Sequence, residues 1–430
     1  AEQTVSVTVT AANQAPIALN DTFTMTEGGS LSGVPFLVKD ISPGIGNSTP
    51  NNLVNVNGTL YFTATQAGTG TELWKSDGTA AGTVLVKDIV AGSDSSDAAN
   101  LTNVNGTLFF TAFDATNGME LWKSDGTAAG TVLVKDISAG SGSSGPQFLT
   151  NVNGTLFFSA SGGGIGVELW KSDGTAAGTV LVANISPSGS SNPGNLTNVN
   201  GTLFFTAIDG VTGRELWKSD GTVGGTVLVK DISTGAFSAA PDSLTNVNGT
   251  LFFSATDGFE RELWKSDGTA AGTVLVKNLN GGGNSNPTGL TNVNGTLFFQ
   301  AVDSGIGVEL FKSDGTAAGT VLVKDITPGA GSSTLTDLTN VGGTLFFRGP
   351  RTGGSLTLWR SDGTEAGTIE LAPGGLALPG LANIGPFLTD VNGTAFFSAG
   401  GTGNDLWKSD GTMAGTVPVG TGLAPQGLTS

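Results

Sequence analysis

The chain has 430 residues, 69 of them Gly, with 35 acidic side chains against 18 basic ones and a formal net charge of −17. It contains no Cys and no His, which excludes disulfides, thiolate metal sites, a Cys nucleophile, His-ligated zinc or haem, and the usual Ser–His–Asp triad. So acidic a chain makes a poor nucleic-acid binder, because phosphate contacts need Lys and Arg, and no apolar run approaches the ~18 residues of a membrane helix.

Residues 1–33 stand outside the pattern that fills the rest. Thr4-Val-Ser-Val-Thr-Val-Thr10 alternates Val with Thr or Ser, as a strand does. No signal peptide opens the chain, so Ala1 reads as a mature terminus or a cut site. The segment reads as an extended N-terminal arm or inter-domain linker. Its strand has no counterpart in the rest of the chain, and an unpaired strand seeks a sheet edge. Thr4, Val5, Val7 and Val9 are therefore the expected subunit-contact residues, adding to another module or another copy, with a simple linker as the plainer alternative.

From residue 34 onward a unit of 47 or 48 residues recurs eight times. The octet Glu72-Leu-Trp-Lys-Ser-Asp-Gly-Thr79 returns with its Asp at 77, 125, 173, 220, 267, 314, 362 and 410. The phrase Val-Asn-Gly-Thr-Leu-Phe-Phe, with small variations, precedes each octet. A repeat of this length means a solenoid or a propeller. In the second unit, residues 101–104 read as a first strand and Asn105-Gly106 as a two-residue hairpin turn. Residues 107–112, 120–124 and 132–137 supply the other three strands. Four antiparallel strands per unit, without helical periodicity, predict an all-β fold. Residues 34–430 form an eight-bladed β-propeller of four-stranded antiparallel blades. The long Gly/Ser-rich link after the fourth strand makes the first strand innermost. Residues 34–41 copy the fourth strand ahead of the first unit. They are predicted to complete the eighth blade beside Asp405–Ser409 and close the ring.

Strand alternation puts the Asn-Gly and Asp-Gly-Thr turns on one face, nearly invariant from blade to blade. The loops between second and third strands share the opposite face with the blade-to-blade links, and these vary. Specific recognition needs chemically distinct groups, so the variable face is the expected binding face. Its candidates are Asp209, Arg214, Asp257, Phe259, Glu260 and Arg261, in the loops of the fourth and fifth units. The seven Trp are repeat positions and read as packing between blades. The eight turn Asp read as Asx-type caps of their own turns. No motif requires a cofactor; the turn carboxylates leave calcium as the open alternative, so metal binding is unknown. The inner-strand Asn residues read as ties between neighbouring strands. Nothing singles out one carboxylate pair as catalytic.

The octet resembles the signature of the ELWxxDGT-repeat proteins of bacterial secreted and surface proteins. Phe311 stands in place of Trp, and Thr357 and Asp405 in place of Glu, in the last three copies. Asn13-Gln-Ala-Pro-Ile-Ala-Leu-Asn-Asp21 resembles the joint between cadherin-like or Ig-like repeats of adhesins. The resemblance implies an extracellular or cell-surface protein and no chemistry. The function expected is a non-enzymatic structural or adhesion module of a surface or matrix assembly, polymerising through its arm into a filament. The runner-up is a glycan-binding propeller using the variable face. Expected partners are other surface modules or further copies, with glycan in the second reading, and neither nucleic acid nor a membrane span.

Overall fold

The computed structural model describes residues 5–8, 22–25, 37–44, 46–351, 356–371, 384–399 and 405–420. The repeat builds eight four-stranded antiparallel sheets, each from four strands consecutive in the chain, arranged as the blades of a β-propeller. Blade 2 is typical: Ala99–Val104 is innermost, followed by Thr107–Asp114, Gly118–Ser124 and Val132–Lys135. The Asn-Gly turns form as expected, with Asn105 at φ 49° and Gly106 at φ 84°. Only this left-handed pair matches the twist of the two strands it joins.

The second and third strands sit mid-blade and are apolar on both faces, because each face packs on a neighbouring blade. Between blades 2 and 3, Val104, Phe109, Leu121, Val134 and Ile137 meet Leu156, Phe158, Ala160 and Trp170. The same set recurs at all seven seams from blade 1 to blade 8. Six of the seven Trp lie in these seams and Trp74 packs with Ile41, Phe62 and Ala64 of blade 1; all seven are buried as expected. Polar side chains stitch the seams as well. Asn103, Asn151, Asn198, Asn246, Asn292 and Asn340 each donate from Nδ2 to a backbone carbonyl of the preceding inner strand. The inner-strand amides are thus the ties that the repeat suggested.

The Asp-Gly-Thr turn is self-contained. Asp125 Oδ1 accepts the N–H and the hydroxyl of Thr127 at 2.8 and 2.7 Å, and Thr127 Oγ1 accepts Gly130 N–H. Among the described residues no three acidic side chains gather as a metal site would require.

One expectation is corrected. Residues 37–41 form no strand, and blade 8 draws its outer strand from Val417–Gly420, which pairs with Asp405–Ser409. Ring closure by residues 34–41 therefore does not occur; residues 34–36 lie outside the described residues. The reason is steric: Val417–Gly420 already holds the edge that residues 34–41 were expected to fill. Val5–Thr8 pairs antiparallel with Thr22–Met25, Val5 opposite Met25 and Val7 opposite Phe23, so its partner lies within the arm. Thr4 and Val9 fall outside the described residues.

Candidate functional site

Two features of the repeat shape the variable face. The first is the octet Glu, whose role the sequence did not reveal. Glu120 is fully buried and accepts the N–H groups of Ile137, Ser138 and Ser144 and the hydroxyl of Ser144. These donors belong to the link between blades 2 and 3. Glu72, Glu168, Glu215, Glu262 and Glu309 hold their own links alike. A buried carboxylate thus straps each of these six links and fixes where the next inner strand begins.

The second feature is a bulge at that beginning. The second residue of each inner strand from blade 1 to blade 7 takes a positive φ: Asn52, Asn100, Phe148, Asn195, Ser243, Gly289 and Asp337. Gly, Asn and Asp accept this conformation most readily, whereas other side chains are strained in it. Ser243 and Phe148 are the misfits, and Phe148, at φ 56°, is the bulky one and is 46 % exposed. An aromatic residue held in this region costs on the order of 1 kcal/mol.

Phe148 lines one of the cavities on this face. It lies between blades 3 and 4, has a volume of about 480 Å³, and is bounded also by Gln147, Asn195, Thr206 and Arg214. Arg214 opens the third strand of blade 4. Its Nη1 donates to Asn192 O at 2.9 Å and to Thr206 Oγ1 at 3.2 Å, and burial holds its pKa below the ordinary value. The second cavity, about 370 Å³, lies between blades 5 and 6 and is lined by Pro241, Asp242, Ser254, Arg261 and Thr288. There Arg261 Nη2 donates to Ala240 O at 3.0 Å. Among the described residues neither Arg forms an ion pair. Asn195 Nδ2 donates to Pro241 O and to Asp242 Oδ1, joining the two cavities along the inner ring.

Farther round the ring the equivalent spaces are filled. Gln300 stands where Thr206 and Ser254 stand in their blades; it donates to Thr288 Oγ1 and accepts Leu335 N–H. Arg348 occupies the same place in blade 7, paired with Asp337 and bonded to Ile384 O. At both cavities the second strand carries a small Ser or Thr at this place.

Of the six residues expected on this face, the structure brings only Arg214 and Arg261 into cavities, and into different ones. Asp209 caps its own loop, accepting the N–H groups of Val211 and Thr212. Burial raises its pKa, but those donors outweigh burial and the net shift is downward. Asp257 caps Phe259 and Glu260 in the same way. Phe259 is 90 % exposed and Glu260 accepts from Asn278, so neither reaches a cavity. Sequence reasoning missed Gln147, Asn195 and Asp242. The available signal was that the first two inner-strand residues differ in every blade.

Replacing Phe148 with Asn, the residue at this position in blades 1, 2 and 4, removes the strain. The account expects a stability gain of about 1 kcal/mol in denaturant unfolding, with the cavity losing its aromatic wall. A loss of stability would mean that Phe148 is held there for packing.

The chain matches no family model and no curated protein sequence. Solved structures similar in fold include a puromycin hydrolase, 15 % identical over 87 % of this chain and 54 % of that one, TM-score 0.40. Two prolyl endopeptidases, described together, give a match that is 11 % identical over 75 % and 49 %, TM-score 0.44. The β-propeller domain of the Trilobed protease from Pyrococcus furiosus, described as having an open velcro topology, is 9 % identical over 88 % and 97 %, TM-score 0.43. The chain spans about half the length of the first two. These likenesses show the fold alone. These neighbours carry the names of peptidases and hydrolases, and the expected non-enzymatic adhesion module, with its glycan-binding alternative, is set aside. No helix among the described residues is long and apolar enough to cross a membrane.

Proposed function

We propose that this chain is the substrate-recruiting propeller of a peptide-processing assembly, taking a carboxylate-bearing peptide along the inner ring of its variable face. The observation that carries the reading is Arg214, a half-buried cation without an acidic partner, beside the strained Phe148 in an open cavity. A guanidinium already fixed by two acceptors is pre-organised to receive a carboxylate. Phe148 offers an aromatic wall to the adjoining side chain. The continuation through Asn195 and Asp242 to the Arg261 cavity suits an extended backbone, which presents amide groups at regular intervals. The chain has no His and no Cys, so a peptidase triad or Cys nucleophile of the usual kind would belong to another domain or partner.

The test is calorimetric titration with the tripeptide Gly-Gly-Phe and its C-terminally amidated form. The free acid should bind at least ten-fold more tightly, since a charge-assisted pair is worth about 1.5–3 kcal/mol. Equal affinity for acid and amide would reject the reading.

A further inference from the structure

Among the described residues no hydrophobic cluster joins blade 8 to blade 1, and each is left with the half of a seam that the rest of the chain uses seven times. In blades 1 to 7 the forward-facing side chains are buried: Val104, Phe109 and Leu121 in blade 2 are 5, 3 and 0 % exposed. Their blade 8 counterparts, Val391, Phe396 and Leu406, are only half-buried. The backward-facing Leu is fully buried in blades 2 to 7, as Leu156 is, whereas Leu60 of blade 1 is half-buried. The turns agree. A side chain built at Gly106 or Gly154 would strike the Asn of the preceding blade, and one at Gly126 or Gly174 the preceding aromatic ring. At Gly58 and Gly78 of blade 1 it would meet nothing within 4 Å. Asn55, unlike its six counterparts, has no inner-strand carbonyl to tie to among the described residues.

The two halves also complement each other in what they lack. The outer strand of blade 8 ends at Gly420, which pairs opposite Leu406 as Lys135 pairs opposite Leu121. Blade 8 thus has neither the Lys nor the Ile that blade 2 sends into its forward seam. On blade 1 those groups are already present. Lys39 Nζ donates to Thr83 O at 2.7 Å, as Lys87 donates to Thr131 O, and Ile41 packs on Phe62, Ala64 and Trp74.

We infer that a second copy of this chain occupies the open seam, blade 8 of one copy docking on blade 1 of the next. The contact continues an interface already formed seven times inside the chain, with Lys39 and Ile41 completing it. It joins two different faces, so it is heterologous and propagates head to tail. The peptide reading is independent of it, since the cavities lie between blades 3 and 6.

Light scattering on the whole chain across a concentration series tests this. The mean mass should rise from one chain mass through two and beyond. Phe396→Ser disables the forward face, and Leu60→Ser the backward face. Each variant alone should stay at one chain mass, and an equimolar mixture should stop at two. Leu406→Ser and Leu53→Ser are a second pair, should circular dichroism show that either of the first is unfolded. Wild-type protein holding one chain mass at every concentration, as a chain closing its own ring would, overturns the inference. So does any folded single variant that assembles like wild type.

Discussion

Replacing Glu120 with Ala should cost about 3 kcal/mol or more of stability. The substitution strands three backbone N–H groups, those of Ile137, Ser138 and Ser144, together with the Ser144 hydroxyl. Ile137 and Ser144 are buried, so water cannot readily replace the carboxylate. Each unsatisfied buried donor costs about 1–3 kcal/mol, and local relaxation recovers part of the sum. Gln at this position keeps one acceptor oxygen and should lose roughly half as much. Because a blade contacts only its neighbours, the damage should be local, and hydrogen exchange should quicken first in residues 136–147. Denaturant unfolding of the two variants measures the cost. A loss below about 1 kcal/mol for Glu120→Ala would mean that the strap is incidental.

Stability should fall as the pH rises from about 4.5 to about 7. Burial raises the carboxyl pKa of Glu72, Glu120, Glu215, Glu262 and Glu309, and that of Glu215 to about 7. A folded-state pKa above the unfolded value means that the folded chain holds the proton longer. The resulting stability is complete below the unfolded pKa and lost as the pH climbs through the folded one. For Glu215 a displacement from 4.5 to about 7 corresponds to something on the order of 3 kcal/mol. The turn Asp residues act oppositely. Bonds from the Thr side chain and N–H hold Asp125 and its counterparts below the ordinary carboxylate range, and their contribution fades only in strong acid.

Glu215 is shifted so far for a reason visible in the repeat. Ser96, Ser144, Ser191, Ser285 and Ser333 occupy one position of the link, and Ala239 replaces them beside Glu215. Its carboxylate therefore keeps the backbone donors of Ile232 and Ala239 but lacks the hydroxyl that Glu120 receives from Ser144. Ala239→Ser should lower the Glu215 pKa. It should add about 1.5–3 kcal/mol at pH 8 and change little at pH 4.5, since a hydrogen bond to a charged group has that value. Thermal unfolding of both proteins from pH 4.5 to 8 decides the matter; parallel profiles would contradict it.

Much of the blade was legible because the repeat exposes its own grammar. The Asn-Gly turns, the Trp in the seams, the inner-strand Asn ties and the capping Asp of Asp125-Gly126-Thr127 all act within one unit or between adjacent units. Their geometry follows from local conformation and strand alternation. The octet Glu was not legible, because its partners are backbone N–H groups of a link whose side chains vary. Arg214 and Arg261 were marked but their surroundings were not. Each opens a third strand, and only the fold shows the side chain reaching inward to the entry of its own blade's inner strand while Asp209 and Asp257 turn back on their own loops. Ring closure failed as a reading for a related reason. Residues 34–41 match an outer strand in sequence, yet pairing is settled by which segment holds the edge, and Val417–Gly420 holds it.

The central claim is that Arg214 receives the ligand's carboxylate, and a double-mutant cycle tests it most directly. Gly-Gly-Phe and its amide are each titrated into wild type and into Arg214→Gln, with melting temperatures confirming that both proteins are folded. The account predicts that wild type prefers the free acid by at least ten-fold, and that Arg214→Gln binds acid and amide equally. A folded Arg214→Gln protein that keeps the full preference for the acid would contradict it.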